Sequence, residues 1–324
     1  MKHYLIIAVA CLLAVFAQAQ NPNTKWGKPS QAEWDLQAWG EAPDAEAVVL
    51  YRTMDIAYQI TRQFSAYNSD NTELSMSSIN SLLGTNDNNF VSATYENKLR
   101  IKVLKDSGAG YANVDIYYLN DADDARLVDE LEGVKVNVFS KNEKGKVARR
   151  MVKNANFTTE RADAHYSVMH IKVPDVKAGD IIEYQYTITS TRVVFLYDCS
   201  FQEEIPVLYA KCDMDIPGFL QFDMKVPIHP FIKSKVSQSV IREVQSSGDM
   251  QAPKTYPSNH YVIEGHDILP KGLDLQRSDA SVDAARVNAG TASVMKTVAL
   301  IKSVQPSQVA PLPNGKNHIM INPK

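Results

Sequence analysis

Cysteine is scarce, neither sign of charge dominates, and long apolar runs stop near the start of the chain; each shortage removes a class of function. Only three of the 324 residues are cysteine. Cys11 lies in the first apolar run, which leaves Cys199 and Cys212 as the later thiols. A catalytic thiolate needs a partnered base, and strand cysteines without one stay protonated and inert. Basic residues number 34 and acidic residues 37, so bulk charge draws the chain to neither nucleic acid nor an anionic membrane. Past Phe16 no stretch approaches the ~20 consecutive apolar residues of a membrane span. The sequence also lacks G-x-S-x-G, H-E-x-x-H, a P-loop and G-x-G-x-x-G. Serine hydrolase, zincin and nucleotide-binding readings therefore have no signature to rest on.

The first residues read as an export leader. Lys2 and His3 give a positive start, Tyr4 to Phe16 an apolar run, and Ala17-Gln18-Ala19 a small-residue cleavage site before Gln20. Few apolar residues precede Cys11 and more follow it, which disfavours lipid attachment there. Residues 1–19 are expected to be a signal peptide, and the protein to be periplasmic or secreted. In an oxidising compartment Cys199 and Cys212, on either side of Ile205-Pro206, have two readings. They form a cross-strand disulfide, worth about 3 kcal/mol by loop closure, or they are two small buried hydrophobes.

What is present is mostly strand grammar. Ile182, Tyr184, Tyr186 and Ile188 alternate with Glu183, Gln185, Thr187 and Thr189, the period of a half-buried strand. Pro174-Asp175 and Ala178-Gly179-Asp180 supply turns before it. Arg192 to Gln202 and Val207 to Ile216 continue the pattern, and so do Ala45 to Tyr51, Val91 to Leu104, Ala112 to Leu119 and Asn259 to Ile268. Val134 to Val152 reads as a hairpin with a lysine-rich tip. Arg100 and Lys102 alternate with Ile101 and Val103, so the cations are expected on a solvated face. Glu203 and Glu204 likewise read as solvated. Asn68 to Asn89 has the composition of a surface loop.

Two segments carry helical spacing. Ala125, Val128 and Leu131 fit a short helix over Asp121–Leu131, capped at Asn120 or Asp121 and stopped by Gly133. The acids Asp121, Asp123 and Asp124 lack the alternation of a calcium loop and suit a helix start. Val287, Thr291, Val294, Val298 and Ile301 lie on one helical stripe, against which Gly290 and the β-branched residues count. No histidine spacing makes a metal site: His165 and His170 differ in parity, and Gly265 separates His260 from His266. Trp26, Trp34 and Trp39 form either an aromatic surface for a sugar or anchors of an N-terminal arm, the commoner arrangement.

Several short stretches, in order, resemble the family known as domain of unknown function 3857: AEAVVLY, NKLRIKVLKDSG, GVKVNVF, VPDVKAGDIIEYQYTITS, FQEEIPVLYA and DIPGF. The likeness runs from Ala32 to Gly218 and more faintly to Pro270. It implies an exported β-sandwich region of a type common in Bacteroidota, which usually precedes a transglutaminase-like domain with a Cys-His-Asp constellation. No counterpart of that domain is found in this sequence. The family tends to have aromatic residues where Cys199 and Cys212 stand, a paired departure that suits the disulfide.

The expected architecture is mainly β: antiparallel β-sandwich modules with one short internal helix, and a C-terminal helix as an option. Residues 20–31 form an arm, 32–218 a sandwich domain, 219–270 a second β-rich module, and 271–324 a helix or polar tail. The expected function is that of a non-catalytic binding or scaffolding module of a bacterial periplasm, without cofactor or metal, whose ligand is a partner protein or a glycan. The alternative is the regulatory or remnant half of a transglutaminase-like protease system, active only in complex.

Overall fold

Ala47–Thr61 (β1) is rich in β-branched and aromatic residues and runs extended for 15 residues, with a bulge between Val49 and Tyr51. Its first eight residues are all buried, and only then does burial alternate. A strand reads that way when both of its faces are covered at one end and one face is open at the other. The computed structural model describes residues 22–61, 91–122, 128–193, 196–220, 222, 231–244, 252–271 and 273 in full, and the backbone of 223–225, 296–301 and 319–321.

On one side β1 pairs antiparallel with Val91–Val103 (β2). After β2 come Val114–Leu119 (β3), Glu130–Lys141 (β4), Val147–Met151 (β5), Phe157–Arg161 (β6), Tyr166–Ile171 (β7) and Ile181–Ser190 (β8). Cys199–Ser200 (β9), Val207–Pro217 (β10), Phe222–Lys225 (β11), Ile232–Val244 (β12), Thr255–Ile268 (β13), Lys296–Ile301 (β14) and Ile319–Ile321 (β15) complete the described strands. The large sheet is eight-stranded, in the order β10-β13-β12-β1-β2-β8-β4-β5, and β10 also pairs with β1. A four-stranded sheet (β15-β3-β7-β6) backs it, and β11-β14-β9 form a third. Met54, Ile56, Tyr95, Leu99, Tyr184 and Tyr186 of the large sheet share one core with Val114, Ile116 and Ile171 of the smaller one.

The outer face of the large sheet is closed at one end by the N-terminal arm. Gln31–Asp35 (α1) begins with a capping box between Ser30 and Glu33. Its Trp34 packs on Val48, Leu50, Phe139 and Ile181, and Trp39 packs with Ala42 and Leu269. Arg100, fully buried, pairs with Glu183, its Nε donating at 2.9 Å to Oε1. The same guanidinium reaches Glu33 at 2.5 Å and the arm carbonyls of Asn23 (2.8 Å) and Lys25 (2.7 Å), and lies over the Tyr51 ring at 4.6 Å. Gly27 N donates to the other Glu183 oxygen at 2.8 Å. Lys102 Nζ donates to the carbonyls of Glu33 (2.9 Å) and Trp34 (2.7 Å). At the arm's far end the Glu46 carbonyl receives Leu104 N and Lys105 N, and a Cβ on Gly108 would overlap it.

The mainly β expectation holds, and several finer expectations are corrected. The large sheet is mixed rather than antiparallel, because β1 pairs in parallel with both β10 and β12. Val128 bridges to Asn120, and Leu131 lies in β4 opposite Ile188, so the segment expected as a helix ends in strand. Leu131 packs against the core there, and that pairing outweighs helical spacing. Residues 123–127 lie outside the described residues. Val298 and Ile301 belong to β14 rather than to a helix; the rest of the segment 278–304 lies outside the description, apart from 296–301. Among its described residues Arg192–Gln202 supplies only β9, a two-residue strand. Arg52 continues β1, and Gly218 does not separate two sheets, since β12 and β13 join the sheet of β1 and β10. The leader at residues 1–19 and the loop 68–89 also lie outside the described residues.

The arm's hold on the sheet can be tested through the cation at its centre. Arg100→Met leaves Glu183 and Glu33 without a counter-charge, and should cost about 3–5 kcal/mol in urea unfolding. Adding Glu183→Leu removes the stranded carboxylate and should recover part of that loss. Limited proteolysis of Arg100→Met should cut first between Pro22 and Glu46.

Candidate functional site

Beyond the arm the outer face lies open, and strand register arranges its side chains in rows. One row runs Glu132, Thr187, Glu96, Asp55, Asp213, Val262 and Lys235 through β4, β8, β2, β1, β10, β13 and β12. The next row holds Lys135, Gln185, Lys98, Thr53, Lys211, Glu264 and Lys233 on the same strands. An acidic row therefore lies beside a basic one. The cause is local: strand residues two apart share a face, and Lys98/Glu96 and Lys211/Asp213 are such pairs.

The rows meet most closely around β10. The Asp213 carboxylate accepts from Lys211 Nζ at 2.7 Å and faces His260 Nε2 at 2.6 Å. Burial works to raise Asp213, but the hydrogen bonds from Lys211 and His260 prevail and hold it below the usual carboxylate range. Asp55 stands beside Asp213 in register, and among the described residues no hydrogen bond of its carboxylate is found. Desolvation raises its pKa, and Asp213 and Glu96 push the same way against Lys98 and Lys211. Tyr209 OH donates to Glu264 at 2.8 Å, and its ring packs on His266 at 5.0 Å. Neighbouring carboxylates with opposed shifts are the raw material of acid–base chemistry. Here they lie on an open sheet face, and that setting favours electrostatic recognition.

The residues singled out in the sequence are dispersed. Cys199 and Cys212 are bonded to each other, with Cα atoms 6.3 Å apart, between β9 and β10. Trp34 and Trp39 are 8% and 7% exposed, so they anchor the arm and offer no platform; Trp26 is half-buried. Arg100 and Lys102, expected in solvent, are enclosed, and burial lowers Lys102 to about 8. Glu203, also expected in solvent, is buried in an ion pair with Arg52, whereas Glu204 meets Lys271 at the surface. His165 pairs with Asp121 at 2.7 Å. His170 pairs with Asp115 at 2.7 Å and Glu160 at 3.2 Å; burial alone would lower it, but these two carboxylates raise it. Among the described residues no group of three or more His, Cys, Asp or Glu is placed to hold a metal ion. None of their helices is long and apolar enough to cross a membrane.

Asp55, Lys211 and Asp213 went unremarked in the sequence, although the signal was there. In AKCDMDI, charged Lys211, Asp213 and Asp215 alternate with Cys212, Met214 and Ile216, and Asp55 stands between Met54 and Ile56. Alternation marks both faces of each strand, but only the parallel β1–β10 register brings Asp55 beside Asp213.

These features define a mainly β protein built on one large mixed sheet, capped by an arm at one end and open at the other. Residues 91–251 match the family described as a domain of unknown function with a solved structure (DUF3857). The match starts at β2 and includes β12. A crystal structure described as "a putative protease" from Parabacteroides distasonis ATCC 8503 is similar at 12% identity and a TM-score of 0.44. The similarity covers 78% of this chain and 40% of that one, so this chain spans well under half of that protein's length. Comparison with curated proteins finds no match.

The opposed shifts of Asp55 and Asp213 predict substitutions of opposite sign. A raised carboxylate costs stability above its folded pKa and costs nothing below the unfolded value of 3.8. Asp55→Asn should therefore stabilise at pH 7, by up to about 1 kcal/mol for a half-buried group that water still screens. The gain should vanish as the pH falls below 3.8. A lowered carboxylate contributes stability above its unfolded pKa and loses it as the pH falls through the folded one. Asp213→Asn should accordingly destabilise at pH 7, with the deficit closing in acid. Thermal unfolding of both variants from pH 3 to pH 8 measures the two trends.

Proposed function

We infer that the protein is an exported, non-catalytic binding module that docks a protein partner on the open half of its large sheet. The observation that carries this reading is the pair of opposite-charge rows lying side by side on a broad sheet face. Such a surface favours a macromolecule with complementary stripes and rejects one that is uniformly charged. A glycan is less well suited, because Trp34 and Trp39 are committed to the arm.

The non-catalytic part is supported by the fate of the reactive groups. Both strand thiols are spent in the disulfide, and His165, His170 and His260 each face a carboxylate. Export is supported by the leader in the sequence and by a disulfide of the kind that persists in oxidising compartments.

A photo-crosslinking residue in place of Ala57, which is exposed on this face, tests the reading in cells making the full-length chain. A discrete protein adduct is expected, and Lys98→Glu with Lys211→Glu should abolish it. The absence of any adduct, or an adduct indifferent to those changes, removes the docking face. Iodoacetamide should label neither Cys199 nor Cys212 without reductant, and rapid labelling of either overturns the non-catalytic assignment.

A further inference from the structure

The longest run of exposed strand lies on β12, away from the charged rows' centre. Residues 233–238 are exposed on both faces, and Val236, Val240 and Val244 are 59%, 63% and 49% exposed. Along one edge β12 pairs with β13 from Ile232 to Arg242. Along its other edge the only pairing among the described residues is Glu243–Val244 with Ile60–Thr61 of β1. Among the described residues most of that edge therefore has no ladder partner, the template for strand addition. Monomeric proteins usually protect such an edge, and exposed valines do the opposite.

The sequence of β12 is complementary to itself about Gln238. In an antiparallel pairing with its two-fold centre there, Gln238 meets Gln238 of the second copy, and Val236 meets Val240. Ser237 then faces Ser239, Ser234 faces Arg242 and Lys235 faces Ile241, and the ladder stops short of Glu243 and Val244, which β1 already holds. No cation faces a cation, although Lys233, Lys235 and Arg242 all lie on the strand. Cross-strand apolar pairs and the absence of like-charge pairs are what an antiparallel ladder needs.

We propose that β12 is a dimerisation edge whose occupant is β12 of a second copy of this chain, antiparallel and centred on Gln238. The pairing extends the large sheet across a two-fold axis and buries Val236 and Val240 of both copies together. The face of β12 that bears Lys233 and Lys235 stays open, so this inference stands independently of the docking face.

Disulfide trapping reads the register directly. Opposed residues of an antiparallel pair bring their Cα atoms to about 4.5–5.5 Å, within disulfide reach. Gln238→Cys should therefore cross-link to itself rapidly under mild oxidation, and Ser234→Cys, which faces Arg242, should not. Sedimentation of the unmodified protein should show a concentration-dependent dimer, weakened about tenfold or more by Val240→Lys, the equivalent of losing one good contact. Circular dichroism of Val240→Lys should be unchanged, since the side chain is exposed. A monomer at every concentration up to the high-micromolar range overturns the proposal and leaves the edge to a different chain. Cross-linking of Ser234→Cys as fast as Gln238→Cys overturns the register, and with it the self-complementarity on which the proposal stands.

Discussion

One buried ion pair sets the terms for the rest of the molecule. Arg100 and Glu183 stand opposite each other on β2 and β8, enclosed beneath the N-terminal arm. Two charges taken out of water are costly, and their mutual attraction repays that cost only when the remaining hydrogen bonds are also made. The arm makes them: the carbonyls of Asn23 and Lys25, the carboxylate of Glu33 and the amide of Gly27 converge on the pair. The dependence runs both ways. Without the arm the charges would stand on an open sheet, and without the charges the arm would be held mainly by Trp34, Trp39 and the contacts of Lys102. The pair therefore fixes where the arm lies, and so which half of the outer face stays open.

This explains both what the sequence discloses and where it misleads. Alternation located β2, β8, β10 and β13, because each keeps one apolar face toward the common core. The same alternation put Arg100 and Lys102 on the opposite face, which is correct, and then assigned that face to water, which is not. A period of two tells which residues share a face, and nothing in it tells what covers that face. The cover comes from Asn23 to Trp34, far away in sequence, and the clue was the tryptophans read as an arm. Glu203 was misread for the same reason, since its partner Arg52 arrives from β1.

The mixed topology was hidden for a related reason. Each consecutive pair of strands could be assigned as antiparallel from its turn, but the parallel pairing of β1 with β10 joins segments separated by most of the domain. No local turn specifies such a pairing, and both strands are long enough to pair either way. The helix expected near Leu131 failed in a similar manner: a spacing of three fits a helix, but the β8 edge opposite Ile188 offers Leu131 both a ladder and a core contact.

The disulfide belongs to the same design. Cys212 lies on the core side of β10, the strand whose other face carries Lys211 and Asp213, and Cys199 reaches it from β9. Tying β9 to β10 fixes the short link through Ile205 and Pro206, and Glu203 in that link holds Arg52 of β1. The register of β1 against β10 is thus anchored by a covalent bond and a buried ion pair on the core side. On the outer side that same register sets Asp55 beside Asp213. A shift of one residue would turn Asp55 toward the core and expose Met54 or Ile56, an outcome that the burial of those two side chains in the core forbids. The open charged face is therefore a consequence of how the core side is fastened, and its rows are as rigid as the sheet that carries them.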